Sequence, residues 1–327
     1  MNTPQITDIS WQILQQNDQQ LPPRAMDSHK GDHGHVLLVG GDHGYAGAAL
    51  MASQAALISG AGLVSCTTRP EHISAYIARC PEVMVSGINS GLELAPHLAT
   101  QKLLVVGPGL GKQAFGQLLL QTVLQYLEQT QTPQALVLDA DGLNLLAEKP
   151  LITGQEVNFS KHAIIMTPHP AEAARLLGIS TAEVQADRSA AILALVNKYN
   201  CTVILKGQHS LVAGKANSLD SEIKIYRCLD GNPGMASGGM GDILSGICGA
   251  ILVQFLNLGL SPLAAAKLAC CVHSKAADNA AQAEGEVGLL ASDLLPYIRQ
   301  LLQVSDEAID INGVEITGVE IEGDQHD

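Results

Sequence analysis

The chain has 327 residues, 46% of them hydrophobic and only 3% aromatic, with a net charge of −14. That length suits one large α/β domain or two small ones built on an aliphatic core. The charge argues against a phosphate-backbone partner, and the scarcity of aromatics argues against a base-stacking nucleic-acid platform.

The charge is unevenly placed. After Val304 the sequence "SDEAIDINGVEITGVEIEGDQHD" carries eight acids and no Lys or Arg, which leaves the body near −6 (−14 minus −8). Seven cysteines with no CxxC pair point to a reduced, cytoplasmic setting. The polar start, "QQNDQQLPPR", has no signal-peptide core.

Taken in chain order, residues 1–28 read as an extension ending in "LPPR". From residue 29 to 303 strand and helix patterns alternate. "HVLLVG" (35–40) is a continuous apolar run, the mark of a strand covered on both faces. The Ala- and Leu-rich "GAALMASQAALISGAG" follows as a helix. "LVSCTT" (63–68), "KLLVVG" (102–107), "ALVLDA" (135–140), "AIIMT" (163–167) and "TVILKG" (202–207) repeat the strand signature. Helical patterns between most of them imply crossovers and a mostly parallel sheet. "HSLVAG" and "SEIKIYR" alternate without a helix and predict a local antiparallel piece. Three helices close the domain, beginning near 242, 262 and 291.

The charge-free stretch Ile243 to Ala266 has 24 residues, long enough to span a bilayer. Gln254, Asn257, Gly259 and "SP" at 261–262 interrupt it, so it reads as two buried helices joined by a turn rather than a membrane segment. The tail 304–327 repeats "GVEI" twice. Its composition favours disorder over an edge strand.

In a doubly wound sheet, ligands bind beyond the carboxyl ends of the strands. After the first apolar strand comes "GGDHGYAGAAL". Gly41, Gly44 and Gly47 miss the G-x-G-x-x-G dinucleotide spacing by one residue, but still permit close backbone approach or a tight turn. "GPGLGK" (107–112) fails as a P-loop because Gln113 follows the lysine. In "LDADGLN", Asp139 and Asp141 stand at a strand end, placed to hold Mg²⁺ through water or to cap the next helix. Pro168 and Pro170 pin His169 beside Glu172, either as a ligand contact or as a structural histidine. Lys206 in "LKGQHS" can meet phosphate or mark a hairpin turn. His29, His33, His35 and His43 cluster in sequence without a supporting frame of metal ligands.

The segment "NPGMASGGMGDILSGICGAIL" is the most informative. From Gly231 to Ala266, Asp242 is the only charged residue. As an ordinary helix cap it needs no further role. The preceding Gly238, Gly239, Met240 and Gly241 offer successive unhindered N–H groups at a helix start, an anion hole. A carboxylate beside such a hole is placed to take a proton while developing charge is held nearby. The helix behind it is apolar all round, a rigid mount.

These loops together, with "HKGDHGHVLLVGG", "GYAGAALMA", "SGAGLVS", "VVGPGLG", "TPHPAE" and "LKGQHSLVA", resemble the ADP/ATP-dependent NAD(P)H-hydrate dehydratase family over roughly residues 29–303. That family belongs to the ribokinase-like superfamily. The resemblance implies an α/β three-layer sandwich with a mostly parallel central sheet. It implies repair of NADHX and NADPHX: the S-epimer is dehydrated at the expense of ADP or ATP, giving NAD(P)H, phosphate, and AMP or ADP. Asp242 matches the catalytic aspartate. Ala48, Gly109 and His169 match the hydrated-cofactor pocket, which Asp242 also faces. Lys206, Gly207, Gln208, His209 and Ser210 match the adenine-nucleotide segment, and Gly241 a contact beside the catalytic residue.

The resemblance further implies Mg²⁺, a homotetramer and a separate epimerase, since 28 leading residues cannot encode one. Met240 and Ser210 stand where relatives often carry Thr. A vitamin-type kinase or a non-catalytic nucleotide sensor would use the same residues, the first leaving a stable phosphate ester.

Overall fold

A computed structural model of the chain describes residues 5–17, 19–148, 158–216 and 222–303. The aliphatic runs become the interior of one sheet with ten strands among the described residues. These are β1 (Ile6–Ile9), β2 (His35–Val39), β3 (Leu63–Thr68), β4 (Met84–Gly87), β5 (Leu103–Val106), β6 (Ala135–Leu138), β7 (Ala163–Met166), β8 (Thr202–Leu205), β9 (Leu211–Lys215) and β10 (Ile223–Cys228). The helices are α1 (Trp11–Gln16), α2 (Ala46–Ile58), α3 (Ile73–Arg79), α4 (Gly91–Ala99), α5 (Ala114–Gln129), α6 (Ala140–Glu148), α7 (Pro170–Leu177), α8 (Thr181–Ala186), α9 (Arg188–Tyr199), α10 (Met240–Asn257), α11 (Pro262–Glu284) and α12 (Leu294–Leu301).

The strand order is β1-β10-β9-β8-β7-β6-β5-β2-β3-β4. β9 pairs antiparallel with both β8 and β10, and the other neighbours pair in parallel. The expected antiparallel piece is therefore this one reversed strand. The chain leaves β2 towards β3 and β4, then resumes at β5 on the other side of β2. That reversal opens a crevice beyond the carboxyl ends of β2 and β5.

Side chains alternate along each strand. Val36, Leu38, Leu103, Val105, Val137 and Ile165 face one layer, which includes α2, α10, α11 and α12. Leu37, Val39, Leu104, Val106, Leu136 and Leu138 face the other, which includes α5, α6, α7 and α9. With both faces covered, β5, β6 and β7 have no polar side, and this is why they read as unbroken apolar runs.

α10 is the central support of the first layer. It is long and apolar enough to cross a bilayer, and 78% of it is buried inside the fold. Gly246 sets how closely it lies on α2: a Cβ there would stand 2.1 Å from the Ala52 carbonyl oxygen. Any side chain at this position would force the two helices apart. The turn at Leu258–Ser261 separates α10 from α11, as the sequence predicts.

Two strands and one boundary differ from expectation. Residues 1–28 are not simply an extension, because β1 pairs with β10 and α1 follows it. Asp230 Oδ2 accepts from the Trp11 amide at 2.6 Å and fastens α1 in place. β1 escapes the pattern because only Ile9 of its four residues is buried. β4, at the far edge, has no fully buried residue, so it shows no apolar run. The acidic tail expected over 304–327 lies outside the described residues.

Candidate active site

Because β2, β5, β6, β7 and β8 run in parallel, the loops that follow them gather at one end of the sheet. The first two loops interlock. The Gly41 amide donates to the Pro108 carbonyl at 3.1 Å and the Asp42 amide to the Gly109 carbonyl at 2.6 Å. Gly109 has φ +59, and a Cβ on it would stand 2.4 Å from the Tyr45 carbonyl oxygen and 3.1 Å from the Ala48 Cβ. Ala48 and Gly109, separate in sequence, thus form one wall. Arg69 buttresses this wall by pairing with Asp42 at 2.8 Å and lying 3.6 Å over the Phe115 ring.

Asp139 and Asp141 divide their work. Asp141 Oδ2 accepts from the Gly111 amide at 3.0 Å and so holds the "GPGLG" loop. Asp139 is 1% exposed. Its Oδ1 accepts from Lys206 Nζ at 2.8 Å and its Oδ2 from the Ser245 hydroxyl at 2.6 Å. Burial raises the Asp139 pKa, but Lys206 outweighs it and holds the group below its ordinary value. Burial also works against the Lys206 charge, and Asp139 with Glu172 overcomes that and raises its pKa. The result is a fixed cation at the end of β8, tied through Ser245 to the first turns of α10.

His169 is the N-cap of α7. Its Nδ1 accepts from the Ala171 and Glu172 amides at 3.1 and 3.4 Å, while Glu172 Oε2 accepts from the His169 amide at 2.8 Å. This reciprocal capping box leaves Nε2 to face Glu172 Oε1 at 3.3 Å. Burial, then Lys206, lowers the His169 pKa, so the ring is neutral at pH 7. His169 is therefore a structural cap that also stands on the rim of the site. Glu172, buried behind it and 3.9 Å from Lys206 Nζ, has its pKa pushed up to about 7, chiefly by burial.

Gly239, with φ +94, is the N-cap of α10, and no side chain caps that helix. Asp242 is the third helical residue, so the ordinary-cap reading does not hold for it. The first N–H groups of a helix have no partner within it. Here they belong to Met240, Gly241 and Asp242, directly after Gly238 and Gly239. Met240 is 5% exposed and packs in the core, so it lends the turn its backbone and not its side chain. A Cβ on Gly241 would be 3.2 Å from Lys206 Nζ, which places the lysine against this turn.

Among the described residues, no hydrogen bond occupies the Asp242 carboxylate. Burial, and then the Asp139 charge, push its pKa up to about 7, against the pull of Lys206. A carboxylate with that pKa can both take and return a proton near neutral pH.

The segment Lys206–Ser210 turns back from β8 into antiparallel β9, so the hairpin reading holds. Arg188 at the start of α9 holds the turn, donating to the carbonyls of Leu205 (3.1 Å), Gln208 and His209 (3.3 Å). Gly207, Gln208 and His209 remain exposed, and the Ser210 hydroxyl donates to the Gly207 carbonyl at 3.1 Å. Nothing local in "ADRSAA" marks Arg188 for this role, nor does Ser245 stand out inside its apolar helix. The sequence histidines do not converge. His33 bonds to Ser28, His35 to Ser65, and His29 pairs with Asp32.

A family model described as NAD(P)H-hydrate dehydratase matches residues 36–300. The chain is 47% identical over 282 residues to a bifunctional NAD(P)H-hydrate repair enzyme of Coxiella burnetii, covering 86% of this chain and 53% of that one. It is 39% identical over 285 residues to an ADP-dependent (S)-NAD(P)H-hydrate dehydratase of Neisseria meningitidis, covering 85% of this chain and 88% of that one. The chain thus spans about half the length of the bifunctional relatives it matches, and nearly all of the monofunctional one. Among solved structures, a ribokinase-like superfamily protein of Enterococcus faecalis superposes with a TM-score of 0.74 at 28% identity, covering 91% and 95% of the two chains. The three-layer α/β architecture described above is the ribokinase-like fold.

Proposed function

This chain belongs to the NAD(P)H-hydrate dehydratase family, and on that premise we propose that it dehydrates the S-epimer of NADHX or NADPHX using ADP or ATP. The products are NAD(P)H, orthophosphate, and AMP or ADP. The observation that carries the mechanism is Asp242: an unoccupied carboxylate with a pKa raised to about 7, on the glycine turn that opens α10.

In this reading the hydrated ring lies along Ala48 and Gly109, towards His169. Asp242 takes the proton of the added hydroxyl. The hydroxyl oxygen bonds to the terminal phosphorus, and the bond from that phosphorus to the nucleotide breaks. The N–H groups of Gly238–Gly241 and the Lys206 ammonium receive the charge that develops on the phosphoryl oxygens. The ring nitrogen then pushes out phosphate with the C–O pair, and loss of a proton from the adjacent carbon restores the nicotinamide double bond. The nucleotide rests on Lys206, Gly207, Gln208, His209 and Ser210, a turn that Arg188 keeps in shape.

Magnesium fits this site as a companion of the nucleotide. Asp139 spends its oxygens on Lys206 and Ser245, and Asp141 spends one on Gly111, so the protein builds no closed carboxylate cage. Asp141 and the nucleotide's phosphate oxygens would hold the ion, chiefly through water, which leaves the Asp242 carboxylate free to take the proton. The ion would share phosphate charge. The same reading takes a cytoplasmic homotetramer that works alongside an NAD(P)HX epimerase activity. Seven free, buried cysteines support a reducing compartment.

The test mixes the full chain with Mg²⁺, ADP or ATP, and chemically hydrated NADH, and follows NADH absorbance together with free phosphate. Nucleotide-dependent recovery with matching phosphate release is expected. Accumulation of a stable phosphate ester would make the chain a kinase instead, and no recovery with either nucleotide would refute the proposal.

A further inference from the structure

α2 and α10 begin at the catalytic end of the sheet and finish at a second place of interest. There, a cavity of about 1090 Å³ opens between the C-terminal ends of these helices, the segment before β2, and the ends of α3 and α12. Its α10 wall, Gln254 and Asn257, lies roughly 18–22 Å along the helix from Asp242. Leu21, Leu57, Ile58, Leu258 and Leu302 supply apolar wall.

Three guanidinium groups line the same space: Arg24, Arg79 and Arg299. They come from three separate parts of the chain. Arg24 is steadied by one bond, from Nη2 to the Gly60 carbonyl at 2.7 Å. Among the described residues, no carboxylate lies within ion-pairing distance of any of the three. The acids on these walls point their bonds elsewhere. Asp32 accepts from the His29 amide at 2.8 Å, and Glu82 from the Cys80 thiol at 3.5 Å; Asp27 is the third. Ser59 also lines the cavity. It is 1% exposed, and its hydroxyl has no hydrogen-bond partner among the described residues.

We propose that this cavity binds a phosphorylated metabolite of nucleotide size. Guanidinium forks suit phosphate oxygens, which accept paired N–H bonds. The leucine wall suits the apolar or planar remainder of such a molecule, and the volume matches ligand pockets of that size. The Gln254 side chain, anchored to the Ser59 and Ala250 carbonyls at 3.1 and 2.7 Å, offers a polar floor.

The test is a calorimetric titration of the full chain with inorganic pyrophosphate and, separately, with ADP. Three proteins are compared: the parent, the double variant Arg79→Ala/Arg299→Ala, and Lys206→Ala. Both arginines are exposed and their side chains hold no bond among the described residues, so the double variant keeps the parent melting temperature. The proposal expects one binding class that Lys206→Ala retains and the double arginine variant weakens about tenfold or more, as charged hydrogen bonds are lost. It is overturned if the double variant and the parent give the same isotherms, or if Lys206→Ala abolishes all binding.

Discussion

Replacing Asp242 by Asn should make the protein more stable and nearly inactive, and the stability gain should grow with pH. In the folded chain the Asp242 pKa stands at about 7, against 3.8 for a free side chain. A carboxylic acid that holds its proton more tightly when folded favours folding below its unfolded pKa. That advantage is lost as pH rises from 3.8 through about 7, and is fully gone above it. Each unit corresponds to about 1.36 kcal/mol, so three units amount to about 4 kcal/mol, and screening at a partly exposed group reduces this to about 2–4 kcal/mol. Asn keeps the shape and never charges. Between about pH 5 and pH 8 the gap in its favour should widen by about 2–3 kcal/mol, or roughly 4–6 °C in melting temperature. Glu172 titrates in the same range but is present in both proteins, so it largely cancels in the difference. The assay is a pair of melting curves at each pH, with turnover measured alongside. A gap that stays constant or shrinks as pH rises would show that Asp242 ionises like a surface carboxylate, and the argument for it as a near-neutral base would fail.

Arg188→Ala removes the clamp on the carbonyls of Leu205, Gln208 and His209. The expected result is about a tenfold rise in KM for the nucleotide with a smaller change in kcat, since the turn loses its shape and not its reacting groups. Met240→Thr should lower the melting temperature by the equivalent of about 2 kcal/mol, because a buried thioether leaves a cavity in the core. Its turnover should stay within a few-fold of the parent; a large gain would mean that a threonine hydroxyl supplies a phosphate contact that the backbone does not.

Legibility followed burial. The interior strands β2, β5, β6, β7 and β8 are covered on both faces, so apart from His35 and Thr202 at their starts their sequences are apolar and mark themselves. β1 and β4 lie at the sheet edges and carry little apolar signal, which is why the start of the chain looks like an extension. In the site, single-residue signals were strongest where glycine had to be glycine, at Gly109 and in the turn before Asp242. The partners of Asp139 were not legible, because Lys206 and Ser245 come from elements 67 and 106 positions away. Distance in sequence also hides Arg188, which reads as one more charge at a helix start. His169 shows the limit of a motif: the two prolines announced a fixed backbone, but only the bond geometry shows that its ring caps α7.

Asp8 and Arg227 meet across the outermost strand pair, 219 positions apart, with guanidinium bonds of 2.7 and 2.9 Å. A ribosome adds about 5–20 residues per second, so roughly 10–45 s of synthesis separate the emergence of the two. For that interval the opening strand has no mate. Its brevity and its central Thr7 and Asp8, with Ile9 alone buried, are what let a nascent segment wait in water without adhering to its neighbours.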